Sequence, residues 1–356
     1  QMGTVWEEEV VCPIYNENNL EDAQPVASLK EVYQQVESDL TLAISYFDAF
    51  ADTYMRASKL VVNADVARGF LAYSYLNKAL PSAPGYYSSD NYNKAIAYAK
   101  QLIDAKTYSV IPNAEVLTTG FNNVNDNSWI WGQDVTIETT TSLASFFGQC
   151  DIYSYSYASA GDVKGIDANL LKEITTLGWD IRENWWGNYY RENTRDNSMY
   201  QYAPDGKFFS AQSPESTAEE DIDREWLSDN IFMRYESMFL IASEACYFID
   251  SLSASADYLT QITDERMNTK YQFAQDDYTT YKTSLSNGAT LLKEIEYNWR
   301  VEMWGEGYGL QTFRRLTGTK KRGGNHDYSG GSEVNASDHS FNMNIPSSEA
   351  TYNPNI

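Results

Sequence analysis

From Ser28 to about Phe50 the apolar residues recur as Leu29, Val32/Tyr33, Val36, Leu40, Ala43/Ile44 and Phe47. Alternating steps of three and four lay one stripe along an α-helix, a pattern incompatible with a strand. Ser28, with Glu31 three residues on, makes a capping box at its start. The same period returns from an Asn63 cap through Ala64, Ala67, Leu71 and Tyr75 up to Pro81, where small residues would admit a close neighbour. It returns again from Ser89 or Asp90 through Tyr92, Ala95, Ile96, Ala99, Leu102 and Ile103, fading at Tyr108–Pro112. Further segments carry it at about Asn230–Ser251, Ser255–Asn268 and Thr290–Trp304. Helix following helix across modest loops describes a mainly α chain, a tetratricopeptide-like α-α superhelix whose 34-residue period has been blurred by longer loops.

The rest reads differently. A strand-like Trp129-Ile130-Trp131 follows an Asn-rich turn, and residues 146–212 mix Tyr, Trp, Gly, Asn and Ser with little period apart from a short helix near Asp167–Thr176. Long irregular stretches are functional loops or disorder, and the aromatic content here argues against disorder. Beyond Leu316 the composition shifts to Gly, Asn, Ser and Asp. The expected organisation is therefore a helical part over 1–115, a loop-rich part with the candidate ligand surface over 116–229, further helical pairs over 230–316 and a loop-rich tail over 317–356.

Charge narrows the function. With 26 Lys+Arg against 50 Asp+Glu the net charge is −24, which disfavours nucleic acid and anionic membranes as partners. No run of 18 apolar residues exists, and the chain opens at Gln1 without a secretory hydrophobic region, so its start reads as processed. Cys12, Cys150 and Cys246 are widely spaced and form no metal motif; Cys246, within a helical stripe, reads as a buried thiol. His326 and His339 both stand in the polar tail, which suits solvated loops rather than a triad or zinc site. No phosphate-binding glycine loop or nucleophile elbow occurs at a strand–helix junction. Glu219, Glu220, Asp221 and Asp223 read as a solvated acidic face before a calcium site, and Asn123, Asn125 and Asn127 read as a turn. No cofactor or metal is expected.

The aromatic constellation carries most information. Tyr153, Tyr155 and Tyr157 alternate, and Trp185, Trp186, Tyr189 and Tyr190 lie among Gly, Asn, Arg182 and Arg191. Sugar rings have apolar faces and polar rims, so aromatic faces bordered by Asn, Asp and Arg suit them. The opposing reading makes these rings core plugs beneath long loops. The expected ligand contacts are Trp185, Trp186, Tyr189, Tyr190, Tyr153, Tyr155 and Arg182, with Arg182 equally suited to a structural role.

Four ordered motifs resemble one family. The run Met233-Arg234-Tyr235-Glu236-Ser237-Met238-Phe239-Leu240-Ile241-Ala242-Ser243-Glu244-Ala245 resembles the "RY-x-E-M-x-L-I-x-A-E-A" helix of the SusD/RagB group, with the acid at Glu236 where the family has it one residue later. Ile166-Asp167 through Trp179-Asp180-Ile181-Arg182 resembles its "ID … L … D-x-R" stretch. Trp299-Arg300-Val301-Glu302-Met303-Trp304-Gly305-Glu306-Gly307 resembles "R-R-V-E-L-W-G-E-G", and Ile345-Pro346-Ser347-Ser348-Glu349 with Asn353-Pro354-Asn355 resembles the terminal "I-P-x-x-E … N-P-N". On their own chemistry Arg300, Glu302 and Glu306 suit an ion-pair knot beside Trp299 and Trp304, and Gly305 and Gly307 permit a turn.

The resemblance implies a SusD-like surface lipoprotein of Bacteroidetes nutrient uptake. Such a protein is non-catalytic, binds a glycan at the outer membrane and delivers it to a TonB-dependent, SusC-like transporter. It also implies a lipidated Cys and early helices that this chain does not show, so the expectation is that the family's N-terminal portion is missing. Family ligand contacts lie in variable loops, which leaves the aromatic assignment to this sequence's own chemistry. A peptide-binding member of the same family, a glycoside hydrolase and a helical-repeat adaptor remain the rival readings.

Overall fold

The computed structural model describes residues 10–49, 58–79, 88–136, 138–139, 145–152, 156–187, 201–204, 206–208, 228–338, 341 and 344–356. The longer helices are α1 (Leu29–Ala49), α2 (Ala64–Lys78), α3 (Ser89–Ala105), α4 (Ala168–Leu177), α5 (Glu236–Phe248), α6 (Leu252–Thr263), α7 (Gln272–Ser284) and α8 (Gly288–Glu302). Three two-stranded antiparallel sheets accompany them among the described residues: β1 (Val10–Pro13) with β2 (Val26–Ser28), β3 (Trp129–Gln133) with β4 (Asn230–Arg234), and β5 (Thr319–Lys321) with β6 (Glu333–Asn335). The chain is mainly α with little strand, as its periodicity requires.

Local chemistry sets the helix starts. Ser28 and Glu31 form the reciprocal capping box, with Ser28 N donating to Glu31 Oε2 at 2.8 Å and Glu31 N to Ser28 Oγ at 3.3 Å. Asn63 Oδ1 accepts from the amides of Asp65 and Val66 at the head of α2, and Ser88 and Asp167 cap α3 and α4 in the same manner. Successive helices pack side by side, α1 on α2, α2 on α3, α3 on α5 and α5 on α6. Their apolar stripes merge into one core that includes Leu71, Leu76, Tyr92, Leu240, Leu259 and Ile295, all essentially without solvent contact. Gly69 in α2 lies against Met233 and Met238, where a Cβ would collide with the Met233 side chain. Close approach at the small-residue face of α2 is thus realised.

Two expected elements differ. Asn230–Arg234 is strand, not the opening of a helix, because the Trp129–Gln133 strand pairs with it and the ladder overrides the 3.6-residue period. The helix expected up to Asn268 ends at Thr263, and a 3₁₀ turn over Asp264–Arg266 carries the Arg266 side chain into the interior. Helix α7 escapes the apolar pattern since it buries only Ala274, Tyr278 and Tyr281. The tail contains the β5–β6 hairpin and a short helix, Ser347–Tyr352. Its Asn-Pro-Asn ending is a staple: Asn353 Nδ2 donates to Gln24 O at 2.7 Å and Asn355 Nδ2 to Ala23 O at 2.6 Å.

Helix α8 divides the interior. Leu291, Ile295 and Trp299 face the helical core, while Tyr297 and Val301 face a second core beneath the loop-rich part, with Phe121, Phe147, Ile166, Trp185 and Trp186. Between these faces lies a buried charge network of four acids and four bases: Asp180, Glu236, Glu302 and Glu306 with Arg182, Lys207, Arg234 and Arg266. Glu302 is its hub. Its Oε1 accepts from Arg234 Nη1 at 2.9 Å and Arg266 Nη2 at 2.7 Å, and its Oε2 from Arg182 Nη1 and Arg266 Nε, each at 3.0 Å. Burial alone would raise this carboxyl, but Arg266, Arg234 and Arg182 overrule it and hold Glu302 well below the usual carboxylate range. Removing one partner of such a set strands the remaining charges in low dielectric. Glu302→Gln is therefore expected to cost about 3–5 kcal/mol, read as a fall in the urea midpoint. An unshifted midpoint would contradict the network's role.

Glu294, also on α8, has a buried Oε2 with no hydrogen-bond partner. Burial, then the Glu173 charge, pushes its carboxyl up to about 7 against the pull of Arg182. A native pKa above the unfolded value gives a contribution that is present below about 4.5 and lost as pH rises through 7. Glu294→Gln is expected to stabilise the fold by roughly 1–3 kcal/mol at pH 8 and by less at pH 5. Thermal melts showing equal gains at both pH values, or none, would refute this.

Candidate functional site

Three of the residues expected to contact ligand, Trp185, Trp186 and Arg182, lie in the interior. Trp185 and Trp186 are 0% exposed and belong to the second core. Trp185 donates from Nε1 to Val116 O at 2.8 Å and meets Phe121 edge-on at a centroid distance of 5.0 Å. Neither ring offers a face to a sugar. The physical reason lies in local geometry: Asp180 caps the 3₁₀ helix Ile181–Trp185, and Trp186 bridges to Pro204, so both rings turn into the second core. Arg182 is buried as well, with Nη2 donating to Asp180 Oδ2 at 2.7 Å and to Asn298 Oδ1 at 2.9 Å, and Nη1 to Glu302. Its role is structural. Tyr153, Tyr155, Tyr189, Tyr190, Arg191, His339 and the Glu219–Asp223 acids lie outside the described residues. Tyr157 is 48% exposed.

What the structure opens instead is a cleft of about 430 Å³ between the C-terminal end of α8 and the tail. Trp299, Met303, Trp304, Phe313 and Phe341 supply its apolar lining, and Arg300, Lys320, Lys321, Arg322, Asp167 and His326 its polar rim. The volume lies within the roughly 300–1,000 Å³ of small-molecule clefts. Trp186 contributes from behind, packing edge-on against Trp304 at 6.1 Å between centroids. The predicted tryptophan thus supports a lining ring without touching the cleft's interior.

The family-like motif builds the wall. After α8 the chain reverses through Gly305 (φ +77°) and Gly307 (φ +89°), conformations that glycine adopts without steric penalty. A Cβ on Gly305 would stand 2.9 Å from the Phe208 ring, so the turn also needs the missing side chain. Lys207 fastens this turn from below, its Nζ donating to Glu302 O, Trp304 O and Glu306 Oε1, each at 2.8 Å. Burial brings the ammonium down to about 8, opposed by the nearby Glu306 carboxylate. Glu302 and Glu306 thus form the expected ion-pair knot, but Arg300 leaves it: its Nη1 lies 3.8 Å from Glu173 and 4.0 Å from Glu296, at the cleft.

On the tail side Asp167 accepts from the amides of Asn169, Leu170 and Gly323 and from His326 Nε2 at 3.0 Å. Burial would raise Asp167, yet these donors bring its carboxyl below the usual range. His326 is therefore half-buried and hydrogen-bonded, not solvated. In β5 and β6 Lys320 stands opposite Val334, and both line the cleft. The run Lys320-Lys321-Arg322 was the available sequence signal for this wall, a cationic triplet in a chain of net charge −24.

No group of three or more His, Cys, Asp or Glu suited to a metal ion occurs among the described residues. No described helix is long and apolar enough to cross a membrane. Cys150 and Cys246 are buried, free thiols raised by burial to about 12 and 11, consistent with inert packing residues.

Truncating the inward-facing Trp185 to Ala should cost about 3–5 kcal/mol, as for a large aromatic removed from a core. A Trp185→Ala protein with an unchanged urea midpoint would contradict the buried placement.

Solved structures share this fold. A SusD superfamily protein from Bacteroides thetaiotaomicron aligns with a TM-score of 0.74 at 18% identity, covering 98% of this chain and 70% of its own. A SusD-like carbohydrate binding protein from Bacteroides vulgatus aligns at 0.59 and 23% identity, covering 87% of this chain and 57% of its own. A further SusD superfamily protein from Bacteroides vulgatus aligns at 0.67 and 17% identity, covering 94% of this chain and 66% of its own. No curated protein matches the chain. The sequence profile of the SusD family, SusD/RagB, matches residues 84–355, well over half the chain. The chain belongs to the SusD family.

Proposed function

We propose that this protein is a non-catalytic receptor that captures a glycan in the α8–tail cleft and passes it to a TonB-dependent, SusC-like transporter at the outer-membrane surface. The observation that carries the reading is the cleft itself, in which the partly exposed Trp304, backed by Trp186, stands among charged and polar rim groups. A ring with one apolar face and a polar edge is matched by that combination. The Bacteroides vulgatus relative named as a carbohydrate binding protein agrees with it.

Glycoside cleavage calls for two carboxyl groups flanking the bond, one of them with a raised pKa. The cleft wall carries one carboxylate among its described residues, Asp167, lowered and fully engaged with donors. Retention without turnover is the reading this favours. Tyr153, Tyr155, Tyr189 and Tyr190 are proposed as supplementary contacts on the sequence argument alone. Family membership supports the surface location, the lipid anchor and the transporter partner, which belong to the same proposal.

Calorimetric titration with a panel of oligosaccharides and oligopeptides, followed by analysis for new reducing ends, tests it. Saturable glycan binding without cleavage, weakened at least about tenfold in Trp304→Ala, is the expected result. Reducing ends that vanish on replacing one Asp or Glu would make the protein a hydrolase. Binding of peptides alone would move it to a peptide-capturing role.

A further inference from the structure

Bases are the scarcer charge in this chain, 26 against 50, yet four of them converge on the cleft. Arg300, Lys320, Lys321 and Arg322 share its wall with a single carboxylate, Asp167. That carboxylate is already taken. Three backbone amides and His326 Nε2 donate to it, so its oxygens pair directly with none of the four cations.

Two of the four cations, Arg300 and Lys320, are ion-paired, whereas Lys321 and Arg322 have no carboxylate at ion-pair distance among the described residues. Glu296, behind the wall, accepts from Thr317 Oγ1 at 2.7 Å and Lys320 Nζ at 3.1 Å and lies 4.0 Å from Arg300 Nη1. Glu173, 3.8 Å from Arg300, is half exposed. Lys321 faces Glu333 in the β5–β6 register, with no carboxylate among the described residues at ion-pair distance. Arg322 Nη2 lies 2.6 Å from His326 Nδ1, and its guanidinium is 6.0 Å from the Tyr328 ring centroid. An arginine N–H can only donate, so Nδ1 accepts from Arg322 while Nε2 donates to Asp167.

Cations gathered in a concave site with apolar walls concentrate their field, and Arg and Lys there bind carboxylate or sulfate oxygens through charge-assisted hydrogen bonds. We infer that the ligand of this cleft is an acidic glycan, whose carboxylate or sulfate groups are held by Arg300, Lys320, Lys321 and Arg322. The inference rests on the glycan-capture reading and adds its charge class. A binding site of this sign stands against the chain's own acidity: a polyanion is repelled by the net charge of −24 and attracted at this wall, so charge favours one orientation of capture.

The test is calorimetry of the full chain with oligogalacturonides, with the same oligomers after reduction of their carboxyl groups to hydroxymethyls, and with chondroitin sulfate fragments. At low salt the acidic probes are expected to bind at least roughly tenfold tighter than the reduced ones, with the advantage shrinking as salt is raised. Lys321→Gln combined with Arg322→Gln should remove that advantage, whereas Lys30→Gln on α1 should keep it. Comparing chondroitin sulfate fragments with their desulfated counterparts separates sulfate from carboxylate recognition. Equal affinity for acidic and reduced oligomers would overturn the charge class while leaving glycan capture standing. Acidic binding indifferent to the double variant would overturn the assignment to this cleft. Binding of polyglutamate with no binding of any glycan would overturn both.

Discussion

Three arginines share one carboxylate at the centre of this molecule, and most of the arrangement follows from satisfying it. Glu302 is buried on α8, and its partners come from the 3₁₀ turn after α4, from β4 and from the turn after α6. Each of those segments is irregular or short. Charges placed in low dielectric tolerate few geometries, so the network specifies where these segments sit even if apolar residues of equal volume could match its stability. A second pair, Glu244 with Arg315 at 2.7 Å, joins α5 to the start of the tail in a similar way.

The cleft is a by-product of that specification. With α8 fixed on both sides, Arg300 in its last turn and Met303 and Trp304 just after it line the cleft, and the glycine reversal that follows is clamped by Lys207. The tail returns as the β5–β6 hairpin and closes the opposite wall, where Gly323 N and His326 Nε2 donate to Asp167 at the head of α4. Rigid interior charges thus position a surface site whose own rim is left with unspent positive charge.

The helices were legible because a stripe repeated every three or four residues has one solution, and caps such as Ser28, Asn63 and Asp167 mark their starts. Asn230–Arg234 misled because its side chains fit either period until a partner strand is present. The candidate site was harder to read. Trp185 and Trp186 have the composition of a sugar platform, but composition does not report which way a ring points, and a 3₁₀ turn directs both inward. Conversely, Lys320-Lys321-Arg322 sits in a stretch whose Gly and Ser content reads as solvated tail. Only the hairpin pairing brings it against α8, 130 positions after the Trp185–Tyr190 aromatics.

The most direct measurement is a crystal structure of the protein soaked or grown with an acidic oligosaccharide. The account predicts a sugar ring against Trp304, with its acidic group within hydrogen-bond distance of Lys321 or Arg322. A ligand bound elsewhere, with the cleft filled only by solvent, would contradict it.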